Sequence, residues 1–418
     1  MSSSTDADAH AHRRLPVSPS VDKHQHHHHL HHPHPHHLHE PDQGDHSSSS
    51  SSSSSSNEKS AAAKQAQPSP TQQQQQQQQP AGFLDYVVLG RPKFLLYSLA
   101  CHAVGVLVAQ QKGCEIDWLS AALLQLTIWS THLMTHYINE YGDYDADRLN
   151  TNAGSWTGGS KVLHKKGVSR TVPLVIGIVL QVVAFCCGAA SVLRFVHVRH
   201  GVPVLPPQSM DDVQALVVQT FAHLPLAFVL FGLSVFFVAF AYSVPPLRLS
   251  AVGLGELCVS YVLTFTVPVV GCLLQGGALT YDFFLLLTPI FLMNLNRMII
   301  MNIPDRAGDR AAGKVTSVVM VGEERAVAIN NAVYLATYLV ILPQLNLGPV
   351  LTVAYLLPLP LRWWQSLRIN TPVWWSDRHL VDSIPFVESM FILVTVTSLA
   401  LGLFCQGHEE CSAFFDQH

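Results

Sequence analysis

The chain has 418 residues, of which 48% are hydrophobic and only 12% are charged. Soluble domains typically carry about 25% charged residues, so this composition argues against a soluble globular protein. The formal net charge of −4 is segregated along the chain and does not indicate a nucleic-acid partner. The eight cysteines form no CxxC pair, so neither a zinc site nor a disulfide framework is expected.

The first 80 residues are of low complexity. A histidine-rich run lies between His26 and His39, followed by serines at Ser47–Ser56 and glutamines at Gln72–Gln79. This composition cannot bury enough apolar surface to form a core, which predicts a disordered His/Ser/Gln-rich tail over residues 1–80. The histidines could bind transition metals weakly, but a solvated tail is the simpler interpretation. The tail has no apolar stretch typical of a secretory signal.

The chain becomes strongly apolar after the tail. It contains nine apolar segments of about 20 residues each, the length that crosses a bilayer as a helix. They cover residues 93–111, 118–138, 172–195, 221–244, 253–275, 281–301, 326–345, 348–366 and 386–405. We therefore predict an all-α membrane domain over residues 81–418, with about nine transmembrane helices around a central cavity.

The distribution of lysine and arginine predicts the orientation of these helices. Fifteen of these residues fall in one set of loops and three in the other. By the positive-inside rule, the N-terminus lies on the cytosolic side, or on the equivalent side of an organelle. The C-terminus then lies opposite, which requires an odd number of spans. The sequence leaves the organelle open between the endomembrane system and the mitochondrion.

An acidic motif, Asn139–Asp147, directly follows the second apolar segment. Glu140, Asp143 and Asp147 are spaced i, i+3 and i+7, which would place them on one face of a continuing helix. Carboxylates at the end of a membrane segment are costly unless they face water or a metal. Such a set of oxygen ligands suits Mg²⁺, which is usually held by carboxylates together with substrate phosphates.

A second acidic motif, Asn302–Asp309, follows the sixth apolar segment. Asn302, Asp305 and Asp309 repeat the same spacing. The offset of four segments predicts two related four-helix units plus a ninth helix, with the two motifs facing each other across the cavity. A solvated loop could explain either motif alone, but the matched pair favours a shared site.

An alternative interpretation exists for the first motif and for a charged residue near the second. The alternating acids of the first motif resemble the start of an EF-hand calcium loop, but Arg148 and Gly154 stand where that loop needs Gly and Glu. Arg297 lies inside the sixth segment, where an unpaired charge is expensive. It is either a structural partner for a motif carboxylate or part of the functional site.

Basic residues near the motifs indicate an anionic ligand. A glycine-rich stretch leads to Lys161, and Arg306, Arg310 and Lys314 are interleaved with the second motif. No P-loop is present, which argues against a nucleoside triphosphate. A diphosphate on a lipid-like chain fits better, because metals can hold the head while the apolar bundle holds the tail.

The two acidic motifs and their neighbouring segments resemble those of the UbiA superfamily of intramembrane aromatic prenyltransferases. Asn139–Asp147 is similar to its NDxxDxxxD signature, and Asn302–Asp309 is similar to its second DxxxD motif. Tyr242–Leu247 and Gly253–Glu256 resemble the YSxPP and GxGE segments of the dihydroxynaphthoate branch, which makes menaquinone and vitamin K type quinones. Arg91–Pro92 resembles the opening RP of the family. The resemblance covers residues 83–405.

The resemblance implies Mg²⁺-dependent transfer of an isoprenyl group from a polyprenyl diphosphate to an aromatic acceptor. The implied metal ligands are Asp143, Asp147, Asp305 and Asp309, with Glu140 and Asn302 as further candidates. The four aspartates and Tyr242 are the implied catalytic residues. Contacts to the diphosphate are expected from Arg91, Asn139, Lys161, Arg306, Arg310 and Lys314. Two departures from the family pattern are Glu140 for Asp and Lys161 for Arg, which loses bidentate geometry.

Other functions remain open from sequence. The acceptor could instead be 4-hydroxybenzoate, homogentisate, protohaem or a secondary-metabolite phenol. A multi-pass cation transporter would also show internal repeats, although its acids would lie in mid-span. A third alternative is a scaffold that binds an isoprenoid and regulates a partner. Prenyl chain length, protein partners and oligomeric state are not indicated by the sequence.

Overall fold

The computed structural model describes residues 80–202 and 208–407, and within these ranges the chain is helical. The predicted disordered tail and the acidic C-terminus lie outside the described residues. The described elements in chain order are α1 Phe83–Leu89, α2 Leu95–Gln111, α3 Trp118–Gly142, α4 Tyr144–Leu149, α5 Val162–Lys166, α6 Thr171–His200, α7 Met210–Ala222, α8 Leu226–Ala241, α9 Gly255–Leu273, α10 Tyr281–Asn302, α11 Arg306–Ala311, α12 Ser317–Val321, α13 Glu323–Gln344, α14 Pro349–Leu356, α15 Leu359–Ile369 and α16 Arg378–Gln406.

Six of these helices are long and apolar enough to cross a membrane: α2 with its preceding turn, α6, α9, α10, α13 and α16. A seventh span results if α7 and α8, which meet at 106°, count as one. Every predicted segment coincides with helix, which confirms the all-α membrane fold. The number nine remains a prediction, because α3 and the pair α14 and α15 are not among the helices that are long and apolar enough to cross a membrane.

The remaining two predicted segments differ from the others for identifiable reasons. Helix α3 spans 25 residues but carries histidines and other polar groups along its length. The eighth segment is broken after Leu356, where Pro358 precedes α15. Proline lacks a backbone N–H donor and interrupts the hydrogen bonds of a helix.

Helix ends follow local sequence signals. The hydroxyl of Ser209 accepts a hydrogen bond from Asp212 N (3.1 Å) at the start of α7. The Asp377 carboxylate does the same for the backbone of His379 at the start of α16 (2.8 Å). Helix α6 ends at Gly201, whose φ of +68° suits a residue without a side chain.

The core is formed where α2 packs against α9 and α16, and α10 against α16. Helix α3 packs along α6 and also contacts α2. Gly105 allows α2 and α9 to meet closely, since a Cβ atom there would lie 2.0 Å from Pro268 O. All described residues belong to one compact unit.

The two acidic motifs have the same local design. Each begins at the end of a long helix, α3 or α10, and continues into a six-residue helix, α4 or α11. These short helices pack against each other, and a Cβ atom on Gly308 of α11 would lie 2.8 Å from Ala146 O of α4. The fold therefore brings the two motifs together, as the repeated spacing predicts.

Candidate functional site

The first motif is not one continuous helix, contrary to the expectation from its spacing. Helix α3 ends at Gly142, and Asp143 forms the junction with α4. Asp143 N still donates to Asn139 O, and Asp147 N to Asp143 O, both at 2.8 Å. These hydrogen bonds carry the helical register across the break.

Lys314 connects the two motifs directly. Its Nζ donates to Asp143 Oδ2 at 2.7 Å and lies 3.6 Å from Asp309 Oδ1. Asp143 and Asp309 are only 6% and 4% exposed, so this contact is shielded from water. One carboxylate from each half of the protein therefore shares a single buried cation.

The loop after α4 holds the other two motif aspartates. Asp305 accepts hydrogen bonds from Asn150 Nδ2 (2.7 Å) and from the backbone N–H of Gly158 (3.0 Å). Gly159 has a φ of +73°, and a Cβ atom there would lie 2.0 Å from Asp147 Oδ2. The glycine pair lets the backbone approach both carboxylates.

Glu140 is fully occupied by other partners. Arg91 donates to its Oε1 at 2.5 Å, and Ser160 donates to both oxygens at 2.8 Å. This carboxylate, 3% exposed, fixes the loop that carries the glycine pair rather than pointing free into the site.

The two motif asparagines connect to the other family-like segments. Ser243 Oγ donates to Asn139 Oδ1 at 3.0 Å. Asn302 Nδ2 donates to Glu256 Oε1 at 2.9 Å, and the same oxygen accepts from Ser317 Oγ at 2.6 Å. Both asparagines therefore anchor neighbouring loops.

Two of the predicted basic residues, Lys161 and Arg306, are bonded to groups other than the motif carboxylates, and their contact with a diphosphate stays a prediction. The Nζ of Lys161 donates to the backbone carbonyl oxygens of Asp147 and Asn150. Arg306 pairs with Glu323 at 2.8 Å, and Arg310 is exposed. Among the predicted basic residues, Lys314 joins the two acidic motifs directly.

The interpretation of Arg297 as a structural partner for a motif carboxylate is wrong. Its Nε donates to Asn294 Oδ1 at 2.9 Å, and its other nitrogens face the sulfur atoms of Met301 and Met298. No described carboxylate forms an ion pair with this guanidinium.

Burial disfavours the ionised form of the motif aspartates. Burial raises the pKa of Asp309, Lys314 opposes this, and Asp305 and Asp143 add to it, which together bring the pKa to about 7. Burial first, and then Asp143, raise the pKa of Asp147 well above its usual value. Burial would lower the pKa of Lys314, but Asp143 and Asp309 raise it. The site therefore favours added positive charge.

The motif side chains supply only some of the ligands that an Mg²⁺ ion needs. Asp143 Oδ1 and Asp309 Oδ2 are buried and have no hydrogen-bond partner. Across residues 80–202 and 208–407, no three His, Cys, Asp or Glu side chains form a ready-made metal site. Two carboxylates with free oxygens, completed by phosphate oxygens, match the usual coordination of Mg²⁺.

A cavity of about 550 Å³ opens beside the acidic site. Apolar and aromatic side chains from α2, α3 and α6–α10 form most of its wall. Arg91, Asn139 and Tyr242 line the end shared with the motifs. A polar head site thus adjoins an apolar compartment.

Residues 214–378 match the UbiA prenyltransferase family. The match contains the second acidic motif, Tyr242 and Glu256, and lies within the predicted region of resemblance, residues 83–405. The first motif precedes it. The family match does not distinguish between branches of the superfamily. No curated protein matches the sequence significantly.

Three solved structures are similar at low sequence identity. A UbiA homolog from Archaeoglobus fulgidus bound to DMAPP and Mg²⁺ has 17% identity and a TM-score of 0.49, covering 76% of this chain and 99% of its own. The apo UbiA homolog from Aeropyrum pernix K1 has 17% identity and a TM-score of 0.47, with coverages of 72% and 98%. A digeranylgeranylglyceryl phosphate synthase has 13% identity and a TM-score of 0.45, with coverages of 76% and 97%.

Sequence reasoning missed the histidines of α3 and the support given by Asn150 and Ser160. His132 and His136 line the cavity. With Asn139 and Asp143 they follow a spacing of four, three and four residues, which marks one helix face. This helical periodicity is the sequence signal that could have identified the two histidines. Asn150 continues the three-residue spacing after Asp147.

Proposed function

We propose that the protein is a membrane prenyltransferase that moves an isoprenyl group from a polyprenyl diphosphate to an aromatic acceptor. The observation that carries this proposal is the contact of Lys314 with Asp143 and Asp309 near Tyr242, which lines an apolar cavity. A diphosphate head needs concentrated positive charge, and an isoprenyl tail needs a dry compartment. The two lie side by side.

The proposed Mg²⁺ ligands are Asp143 and Asp147 from the first motif and Asp305 and Asp309 from the second. When bound, Mg²⁺ neutralises the diphosphate and makes it a better leaving group. Asp143 and Asp309 each offer an oxygen without a partner. Glu140 fits a supporting role better, because Arg91 and Ser160 already occupy it.

This chain's own residues would perform the remaining tasks. Lys314 holds the two motifs in register and supplies a cation beside the leaving group. The cavity wall excludes water while the allylic C–O bond breaks and its electron pair leaves with the diphosphate. A ring carbon of the acceptor then forms the new C–C bond and loses its proton to the departing diphosphate. Tyr242 borders the reacting centre in this arrangement.

A dihydroxynaphthoate-like quinone precursor is the proposed acceptor. The YSxPP-like and GxGE-like segments support this choice, and both touch the acidic motifs through Ser243 and Glu256. We place the N-terminus and the motif loops on the cytosolic or equivalent side, from the excess of lysine and arginine in these loops.

Radiolabelled geranylgeranyl diphosphate and Mg²⁺ test this proposal with purified protein in lipid nanodiscs. Dihydroxynaphthoate and 4-hydroxybenzoate are offered separately, with EDTA as the control. We expect an EDTA-sensitive product with the naphthoate. Product with 4-hydroxybenzoate alone would support prenyl transfer and contradict the proposed acceptor. No product with either acceptor, together with cation flux in sealed vesicles, would favour a transporter.

A further inference from the structure

Arg297 is a buried cation that faces the cavity without an acidic partner. It is 4% exposed and lines the cavity from α10. Its described contacts are Asn294 Oδ1, two methionine sulfur atoms and the face of the Tyr97 ring, 5.1 Å away. Thioether sulfur is a weak hydrogen-bond acceptor, so these groups do not balance the charge. A charge in this position is expensive unless an anion joins it.

The charge of Glu388 reaches Arg297, but this carboxylate is bound by other groups. Glu388 of α16 is fully buried and accepts a hydrogen bond from Tyr334 at 2.5 Å. Its other oxygen lies 3.9 Å from Arg362. Arg362 also donates to Asn330 at 3.0 Å and does not line the cavity. The described membrane bundle thus contains one buried arginine, Arg362, with a carboxylate nearby and one, Arg297, whose hydrogen-bond partners are all neutral.

The cavity wall beside Arg297 is built from aromatic rings. Phe94 lies 6.1 Å from Tyr97, and the His136 ring stacks on Phe94 at 5.3 Å. The His132 ring stacks on His136 at 5.0 Å. The Nε2 atom of His136 is buried and has no hydrogen-bond partner. A flat ligand can stack on these rings and accept or donate a hydrogen bond at His136.

An anion bound at Arg297 would lie at a different depth from the diphosphate. It precedes Asn302 by five residues, which on a helix corresponds to roughly 7–8 Å further into the membrane. The acidic motifs and Lys314 lie at the other end of that distance. An anion held by Arg297 would therefore sit deeper than the diphosphate and against the aromatic wall.

We propose that Arg297, together with His132 and His136, binds the carboxylate of the aromatic acceptor. The guanidinium would form charge-assisted hydrogen bonds with that carboxylate, while the rings hold its aromatic plane. The identity of the ligand rests on the proposed prenyl transfer. The site selects acids over neutral phenols, because only an acid compensates the buried charge.

The test compares each acceptor acid with its methyl ester, using dihydroxynaphthoate and 4-hydroxybenzoate. For wild type we expect higher kcat/KM with the acid of the accepted pair. In Arg297→Met the ratio of acid to ester should fall about tenfold or more, as expected for loss of a charge-assisted hydrogen bond. Arg297→Lys should give an intermediate ratio, since it keeps the charge but loses the bidentate geometry. Equal losses for acid and ester would overturn the proposal.

Arg362→Met is the matched control, because it removes a buried arginine that does not face the cavity. It should lower the yield of folded protein and leave the ratio of acid to ester unchanged. A similar fall of the ratio in Arg362→Met would mean that the effect is structural, and would also overturn the proposal.

Direct binding separates this proposal from the proposed function. If wild type transfers no prenyl group to any acceptor, the prenyl transfer fails, and calorimetric binding of dihydroxynaphthoate then decides the role of Arg297. Binding to wild type that is lost in Arg297→Met supports the site. Equal binding to both proteins, or binding of oleate in place of the aromatic acid, contradicts it.

Discussion

Asp143 and Asp145 lie two residues apart in the first motif, but their side chains have opposite surroundings. Asp143 is buried, bonded to Lys314 on one oxygen and unpartnered on the other. Asp145 is 68% exposed and makes one long contact, 3.5 Å, with Arg170. The pair therefore separates the effect of the site from the effect of motif charge.

We expect Asp143→Asn to lower turnover roughly hundredfold, because it removes a charge from the proposed metal and diphosphate site. Asp145→Asn should stay within about twofold of wild type, as is usual for an exposed surface pair. Steady-state prenyl transfer, normalised to folded protein by size-exclusion chromatography, provides the measurement. Equal activity of the two variants would remove Asp143 from the site.

Lys314→Met leaves Asp143 and Asp309 close together without the cation between them. We expect turnover to fall about tenfold or more, because the two carboxylates repel each other and the diphosphate loses a positive contact. Lys314→Arg should recover part of the loss. Initial rates at saturating Mg²⁺ check this. Wild-type rates in Lys314→Met would mean that Lys314 only fills space.

At the residue scale, the sequence predicted the positions of the motif acids better than the partners of the bases. The repeated spacing identified Asp143 and Asp309, because helical periodicity fixes which residues share a face. The partners of Lys161 and Arg306 depended on loop conformation. Neither the positive φ of Lys161 nor the position of Glu323 beside Arg306 follows from local spacing.

The loop between α4 and α5 is the element that closes the site. Its glycine pair places backbone atoms against Asp147 and Asp305, and Ser160 continues to Glu140. The sequence marked this stretch as glycine-rich and leading to a lysine. It did not reveal that the glycines themselves approach the carboxylates, since this depends on how α4 and α11 pack.

Gly159→Ala tests this close approach. The new Cβ atom would collide with Asp147 Oδ2, so we expect turnover to fall about tenfold beyond any loss of stability. Gly113→Ala is the matched control: it also has a positive φ, of +80°, but its Cβ atom would meet nothing within 4 Å. Both variants should lose about 1 kcal/mol of stability from the unfavourable φ. Thermal melts of both variants measure the loss of stability, and prenyl-transfer rates measure the loss of turnover. Equal activity would contradict a specific contact at Gly159.

At the same scale, the bend between α7 and α8 was not predicted. The sequence indicated one apolar segment over residues 221–244, whereas the structure turns by 106° before Leu226. Pro225 directly precedes α8 and disfavours a helical residue before it. Apolar composition reports where helices form, but not the angle at which two of them meet.

For the whole molecule, the cavity is the feature that sequence could predict only in outline. Repeated motifs predicted a central compartment, and the all-α fold is confirmed. The volume and the identity of its wall depend on helix crossings that no local pattern encodes. Gly232 of α8 lines the cavity, and a Cβ atom there would meet nothing within 4 Å.

Filling this space should shorten the accepted isoprenyl chain. In Gly232→Phe we expect kcat/KM for geranylgeranyl diphosphate relative to geranyl diphosphate to fall about tenfold, because the ring occupies volume that the longer tail needs. Leu230→Phe, two residues away and outside the cavity lining, is the control. A competition assay with both donors gives the ratio directly. An unchanged ratio in Gly232→Phe would place the tail elsewhere.

The central claim is that two distant acidic motifs form one diphosphate site. The most direct measurement is calorimetric binding of geranyl S-thiolodiphosphate, an unreactive donor analogue, to wild type, Asp143→Asn, Asp309→Asn and the double variant, with and without Mg²⁺. The claim predicts Mg²⁺-dependent binding that each single variant weakens, with a double-variant loss well below the sum of the two single losses, since residues of one site couple. Binding that is independent of Mg²⁺, or single losses that simply add, would contradict it.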